Sequence, residues 1–433
     1  MSQALFGLFG LSVLLAIAWL FSNNKKQVDW RLVATGVALQ IAFAAFVLLT
    51  SFGSVIFDTL GQGFVRLISF TQEGSVFIFG DLARQDKTGF IFVFQVLPTV
   101  IFFAAFMGVM YHLGVMQKIV QGMAWAITKL MRVSGAETTS VCASVFIGQT
   151  EAPLTVRPYI AKMTDSELLT MMIGGMAHIA GGVMATYIAI LGGTDPVLQA
   201  IYAKHFLAAS IMAAPATLLI AKILIPEVGE PLTRGTVKVH VEKTTQNVID
   251  AAAGGAADGL KLALNIAAML LAFIALIALV NYCITGVSDA SGFTGWLNAG
   301  RATPIVVNLG SILGFVLAPI AWLIGVPWDD ASIVGGLIGQ KIVINEFVAY
   351  LQLGAIPVGD GPGQIGEHAR LIATYALCGF ANFSSIAIQI GGIGGLAPER
   401  RSDLARFGLR AVLGGSLATL MTATIAGVLL TLH

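Results

Sequence analysis

Gly148-Gln149-Thr150-Glu151-Ala152-Pro153 sits at the centre of a stretch, residues 136–163, that is otherwise suited to hydrocarbon. An amide, a hydroxyl and a carboxylate side by side must find partners there, and a carboxylate at membrane depth is a functional hypothesis by default. Pro153 has no N–H and pushes the residue before it away from helix, so the helix is predicted to break at this tip. Two half-helices meeting at a polar tip make a re-entrant hairpin. Its irregular backbone is tolerated only where it is buried in protein or lines a cavity. Asn345-Glu346-Phe347 repeats the arrangement within 328–353. Each run is followed by an apolar segment with a polar or Gly-rich middle, Ala177-His178-Ile179-Ala180-Gly181-Gly182 and then Gly379-Phe380-Ala381-Asn382-Phe383-Ser384-Ser385. Interrupted segments at corresponding places in two halves point to a transporter's substrate site.

The composition agrees with a membrane protein: of 433 residues 57% are hydrophobic and only 11% charged, with mean hydropathy +0.86. Soluble domains carry about 25% charged residues. A net charge of +1 leaves no basic face for nucleic acid. Cys142, Cys283 and Cys378 lie in apolar segments without metal-ligand spacing and read as packing residues. The first apolar stretch begins at Ala4 with no basic segment before it and no cleavage site, which predicts a retained span.

Eight spans of bilayer length are expected, at 4–21, 32–52, 90–113, 167–192, 197–225, 259–287, 371–395 and 403–432. Residues 55–71, 116–133 and 304–324 are predicted to lie at the interface. Thr164-x-x-Glu167 reads as a capping box that restarts a helix after the first hairpin. The fold class is therefore an all-α polytopic membrane protein with eight spans, two re-entrant hairpins and interfacial helices. Four units follow. Residues 1–89 are N-terminal spans and an interfacial helix acting as scaffold, and 90–225 are a first repeat with its hairpin at about 136–163. Residues 226–258 are a polar cytoplasmic connector, and 259–433 a second repeat with its hairpin at about 328–353. Three crossings per repeat is odd, so the copies are inverted. With the N-terminus outside, 17 of the 24 Lys and Arg fall on the inner side, Lys238 and Lys243 of the connector among them. The first hairpin then enters from the cytoplasm, the second from outside, and both termini are periplasmic.

Gly148-Gln149-Thr150-Glu151-Ala152-Pro153-Leu154, Asn345-Glu346-Phe347-Val348-Ala349-Tyr350 and Cys378-Gly379-Phe380-Ala381-Asn382-Phe383-Ser384-Ser385 closely resemble motifs of the bacterial concentrative nucleoside transporters. Ala251-Ala252-Ala253-Gly254-Gly255-Ala256 and Leu396-Ala397-Pro398-Glu399-Arg400-Arg401 extend the likeness along nearly the whole chain. The resemblance implies a cation-coupled importer of the bacterial inner membrane, a homotrimer whose transport domain moves elevator-fashion against a scaffold. It implies that Gln149, Thr150 and Glu151 read the base and that Val183 packs on it with Phe380 nearby. Glu346, Asn382 and Ser385 would bind ribose. Uridine, cytidine and adenosine would be the substrate type, with no organic cofactor. Without the family, the chemistry still fits: amide, hydroxyl and carboxylate match a base's donor and acceptor edges, and a carboxylate suits vicinal hydroxyls.

The family's cation site maps to Ser144, Ile147, His178 and Ile179, where sodium-coupled members carry Asn and Ser at the first and third positions. Imidazole is a poor ligand for a hard cation, whereas His titrates near neutral pH. The coupling ion is thus H⁺ or Na⁺, with His178 favouring the proton, although a buried histidine bonded to a carbonyl is an equal reading. Val183 and Phe380 read on their own as packing residues. His112, Tyr111 and Arg84 read as interfacial anchors. A carrier of dicarboxylates or amino acids is the rival, and it needs a cation at the tips that neither tip supplies. A membrane enzyme finds no supporting His-x-x-x-His, Cys-x-x-Cys or Ser-His-Asp spacing.

Overall fold

A computed structural model describes residues 3–235, 245–301, 304–361 and 363–431. The middle of the connector, with Lys238 and Lys243, lies outside the described residues, as does 432 at the end of the last expected span. Among the described residues the chain is helical, with two isolated bridges (Ser134 with Arg234, Val358 with Ile365) and no strand.

Three helices precede the repeats: Gln3–Leu20, Trp30–Leu49 and Ser51–Phe79. Asp29 starts the second by accepting from the N–H groups of Arg31 (2.9 Å) and Leu32 (3.1 Å). The first repeat runs through Leu97–His112, Val115–Met131, the hairpin, a span broken into Asp165–Ala177 and Gly181–Gly192, and Pro196–Leu224. In Val115–Met131 the buried residues Met116, Val120, Ala124 and Thr128 recur every fourth position, the stripe of a helix lying on a surface. The second repeat answers element for element with Val248–Ala290, Leu309–Leu323, a hairpin of Trp328–Val343 and Glu346–Ala355, the halves Glu367–Leu377 and Phe383–Leu396, and Arg401–Leu430. Leu309–Leu323 turns by 115° into Trp328–Val343 across Gly325, whose φ of +106° suits only glycine. At 15 residues it extends about 22 Å, short of the roughly 30 Å hydrocarbon core.

Three features depart from the expectations. The first hairpin's leading helix, Gly135–Ser144, stops well before Pro153. Pro153 instead opens a 3₁₀ turn, Ala152–Val156, where its missing N–H costs nothing. The amphipathic helix at 51–79 is much longer than 55–71. The sixth span begins at Val248, inside the stretch read as a polar connector, and reaches 43 residues or about 64 Å. Asn247 caps it by accepting from Asp250 N at 2.9 Å. Small residues at 251–259 then let it close on Leu97–His112, so that a Cβ at Gly255 would stand 2.6 Å from the Ala104 carbonyl oxygen. Asp250, Asp258 and Lys261 lowered the hydropathy there and hid the helix.

Burial separates the spans into two sets. Asp165–Gly192, Pro196–Leu224 and the last span are 89% buried, whereas Gln3–Leu20, Trp30–Leu49, Phe92–His112 and Val248–Ala290 are 17–33% buried. The first broken span, Asp165–Gly192, thus sits in the protein interior with Pro196–Leu224 and the last span, where its irregular backbone can be satisfied, and the four less buried apolar helices make up the outer set.

The root of the first hairpin is held by a buried ionic knot. Lys222 Nζ lies 2.8 Å from Glu137 and 3.2 Å from Glu227, and donates to Ser166 Oγ at 3.0 Å. Two capping boxes feed into it. Glu137 accepts from Ser134 N, Glu167 accepts from Thr164 N, and the Ser134 hydroxyl donates to Glu167 at 2.5 Å. Glu137 and Lys222 are both almost wholly buried, and breaking such a pair from one side leaves an uncompensated charge worth about 3–5 kcal/mol. Lys222→Met is expected to lower the thermal midpoint of the detergent-purified protein by several degrees, read by scanning fluorimetry. An unchanged midpoint would mean that the knot does not hold the hairpin.

Candidate functional site

Both hairpin tips and both breaks open onto one cavity of about 1010 Å³, walled on its far side by Leu97–His112 and Val248–Ala290. All eight substrate candidates from the sequence line it: Gln149, Thr150, Glu151, Val183, Glu346, Phe380, Asn382 and Ser385. They come from four segments spread over both repeats.

Two of the half-helices begin at the cavity with asparagine caps. Asn345 Oδ1 accepts from Val348 N and Asn382 Oδ1 from Ser385 N, each at 2.9 Å. Both helices therefore turn their positive ends toward the cavity, and Glu346 occupies the first helical position of one of them. Its carboxylate is buried and carries two donors: Tyr187 O–H at 2.9 Å on one oxygen and Asn382 Nδ2 at 2.9 Å on the other. Tyr187 is itself stacked on Tyr350, centroids 4.3 Å apart. Nearby, Lys341 is buried with its ammonium donating to the Ala376 carbonyl (2.8 Å) and to Thr419 Oγ1 (2.9 Å).

At the other tip Gln149 Nε2 donates to Ser385 Oγ at 3.1 Å, and Thr150 donates to Glu151 at 2.9 Å. Glu151 is exposed to the cavity and folds back over Gly148, where any Cβ would collide with its carboxylate. Val183 and Phe380 supply apolar wall.

The four cation candidates fall on two adjacent stretches, tied by Gly181 N donating to the Phe146 carbonyl at 3.1 Å. Ile147 reaches the cavity lining, while Ser144, His178 and Ile179 are buried behind it. Ser144 Oγ donates to the Ser140 carbonyl at 3.0 Å. His178 Nδ1 lies 2.7 Å from the Gly174 carbonyl. A carbonyl only accepts, so Nδ1 carries the hydrogen and Nε2 is the ring's basic nitrogen.

Several residues in or behind the cavity wall were not singled out in the sequence. Tyr187 is one turn past Val183 and Gln389 one turn past Ser385, on the same helix faces as residues already chosen. A glutamine within Ile388-Gln389-Ile390-Gly391-Gly392 was itself a signal. Tyr111 and His112, expected as interfacial anchors, line the cavity, and His112 Nδ1 lies 2.6 Å from Thr245 Oγ1. Arg157, on the first hairpin's second arm, is exposed and also contributes to the lining.

The architecture and site define a membrane transporter rather than an enzyme. Profiles described as Na⁺ dependent nucleoside transporter N-terminus, Nucleoside recognition, and Na⁺ dependent nucleoside transporter C-terminus match residues 9–82, 93–194 and 205–427. The chain belongs to the Na⁺-dependent nucleoside transporter family. It is 39% identical to the nucleoside permease NupC of Helicobacter pylori over 100% of this chain and 99% of that one. Human sodium/nucleoside cotransporter 1 is 37% identical over 97% of this chain and 63% of its own length. Among solved structures, CNTnw in an inward-facing substrate-bound state superposes with TM-score 0.88 at 41% identity, covering 99% of this chain and 98% of that chain.

Tyr187→Phe keeps the ring stack and removes only the donor to Glu346. That bond, to a charged group and worth about 1.5–3 kcal/mol, is already made without substrate, so the thermal midpoint is expected to fall by a few degrees, and nucleoside affinity to fall as well because the Glu346 carboxylate is no longer held in place. Calorimetric titration with uridine checks this; undiminished affinity would detach Tyr187 from the site.

Proposed function

We propose that the protein imports nucleosides across the bacterial inner membrane, driven by a cation, through an elevator-type alternation of access. The observation that carries this reading is the convergence of all eight substrate candidates on one cavity, with an amide, a hydroxyl and a carboxylate at one tip and a doubly donated carboxylate at the other. Gln149, Thr150 and Glu151 read the base, Val183 and Phe380 pack on it, and Glu346, Asn382 and Ser385 hold the ribose. The Glu346 carboxylate keeps lone pairs for vicinal hydroxyls after accepting from Tyr187 and Asn382.

The cavity extends past Tyr111 to His112 and Thr245, the side that the charge distribution assigns to the cytoplasm, which supports an inward-open state with periplasmic termini. Residues 1–89 with the continuous spans Phe92–His112 and Val248–Ala290 form the scaffold, and the hairpins with the two broken spans form the moving body. Val248–Ala290 is only 17% buried and presents Leu264, Leu271 and Leu279 outward, a face suited to the axis of a homotrimer. The connector is cytoplasmic, though its last turns belong to this helix.

For the coupling ion, His178, a buried ring whose Nε2 is its basic nitrogen, is the feature that favours H⁺ over Na⁺. Uridine uptake into proteoliposomes should be accelerated by an inward pH gradient and competed by cytidine or adenosine, with UMP and succinate ineffective. His178→Ala should abolish that acceleration while uridine still binds. Uptake that follows sodium with no response to pH would assign the cation to Ser144 and the Ile147 and Ile179 carbonyls. Succinate uptake without uridine uptake would defeat the nucleoside reading.

A further inference from the structure

Gln389 is wholly buried in Phe383–Leu396 and does not line the cavity. Its Nε2 donates to the Met172 carbonyl at 2.9 Å and to Gln149 Oε1 at 3.2 Å, and Gln149 Nε2 in turn donates to Ser385 Oγ at 3.1 Å. A primary amide has two donors at one end and acceptors at the other, so its neighbours decide which end faces where. The chain of bonds has a fixed origin. A backbone carbonyl only accepts, which forces Gln389 to turn its nitrogen toward Met172. That nitrogen's second hydrogen then meets Gln149, which must answer with its oxygen. The Gln149 nitrogen is thereby turned toward Ser385 and the cavity.

The half-helix behind them is shaped for this pair. A Cβ at Gly175 would stand 2.8 Å from both Gln149 Cβ and Gln389 Nε2, so only glycine leaves room for the two side chains to lie against that helix.

We propose that Gln389 is a positioning residue that sets base discrimination by locking Gln149 with its N–H end toward the substrate. This rests on the reading of Gln149 as a base-contacting residue. A locked donor favours a base that offers an acceptor and rejects one that offers a donor, because a buried mismatch leaves a polar group unpaired. A free glutamine turns either end inward and discriminates less. Uracil and cytosine present opposite patterns at their N3 and C4 positions, and adenine a third.

The test is the dissociation constant for uridine, cytidine and adenosine, measured on the purified full-length protein and on Gln389→Met, Gln149→Ala and the double variant. The ratio of the weakest to the tightest constant is expected to shrink by about fivefold in Gln389→Met, the size of one hydrogen bond between neutral groups. The preference for uridine over 2′-deoxyuridine is expected to stay unchanged, which a general loss of packing would not allow. Gln389→Met should add nothing in the Gln149→Ala background, since interaction through a shared partner is non-additive. Gly175→Ala, pressing on the same two amides, is expected to narrow the ratio likewise and serves if Gln389→Met proves unstable. A ratio altered by Gln149→Ala but not by Gln389→Met or Gly175→Ala would overturn the role of Gln389 alone. A ratio unmoved by Gln149→Ala, or equal to one in the unmodified protein, would remove both this role and the base-reading assignment.

Discussion

Backbone N–H and C=O groups have no water to bond in the hydrocarbon core, so every break in a helix there must be answered from within the protein. Among the described residues the two hairpins and two interrupted spans make four such breaks, and the answers are specific. Asn345 and Asn382 cap the half-helices that follow their breaks, His178 bonds the last turn of the one before it, and Gly181 N reaches across to the Phe146 carbonyl. Lys341 bonds the carbonyl of Ala376 at the end of another half-helix. The site is what remains when these repairs are complete. Polar groups left over at the tips, with the positive ends of two helices behind them, converge on one cavity.

The inverted repeat makes such convergence economical. Each copy contributes a hairpin tip and a broken span, and the two copies meet from opposite directions. Equivalent places have nonetheless diverged chemically. The first tip carries an amide, a hydroxyl and an exposed carboxylate, whereas the second carries a carboxylate buried beneath Tyr187 and Asn382. One end carries a carboxylate exposed to the cavity, while at the other the carboxylate is buried. That asymmetry suits a ligand with one variable part and one constant part, as nucleosides have.

Much of this was legible in the sequence because hydrocarbon makes polar residues conspicuous. Gln149, Glu151, Glu346 and Asn382 stood out for that reason, and the two breaks fell where His178 and Asn382 placed them. What stayed hidden belongs to two kinds. Residues such as Tyr187 and Gln389 act by pairing with partners 159 and 240 residues away, a relation that no local pattern carries. The sixth span's early start was masked because its first turns mix small residues with Asp250, Asp258 and Lys261, and helical packing on Leu97–His112 overrode that polarity. The ionic knot at the first hairpin's root was half visible. Thr164-x-x-Glu167 announced a capping box, but Lys222 reaches it from the end of another helix.

The proposed function requires that the two tips hold the two ends of a single nucleoside. A structure of the protein with uridine bound, determined by cryo-electron microscopy in a lipid nanodisc, tests it most directly. The base is expected within hydrogen-bonding distance of Gln149, Thr150 or Glu151, and the ribose hydroxyls against Glu346, Asn382 and Ser385. Uridine seated in the reverse sense, or outside this cavity, would contradict the claim.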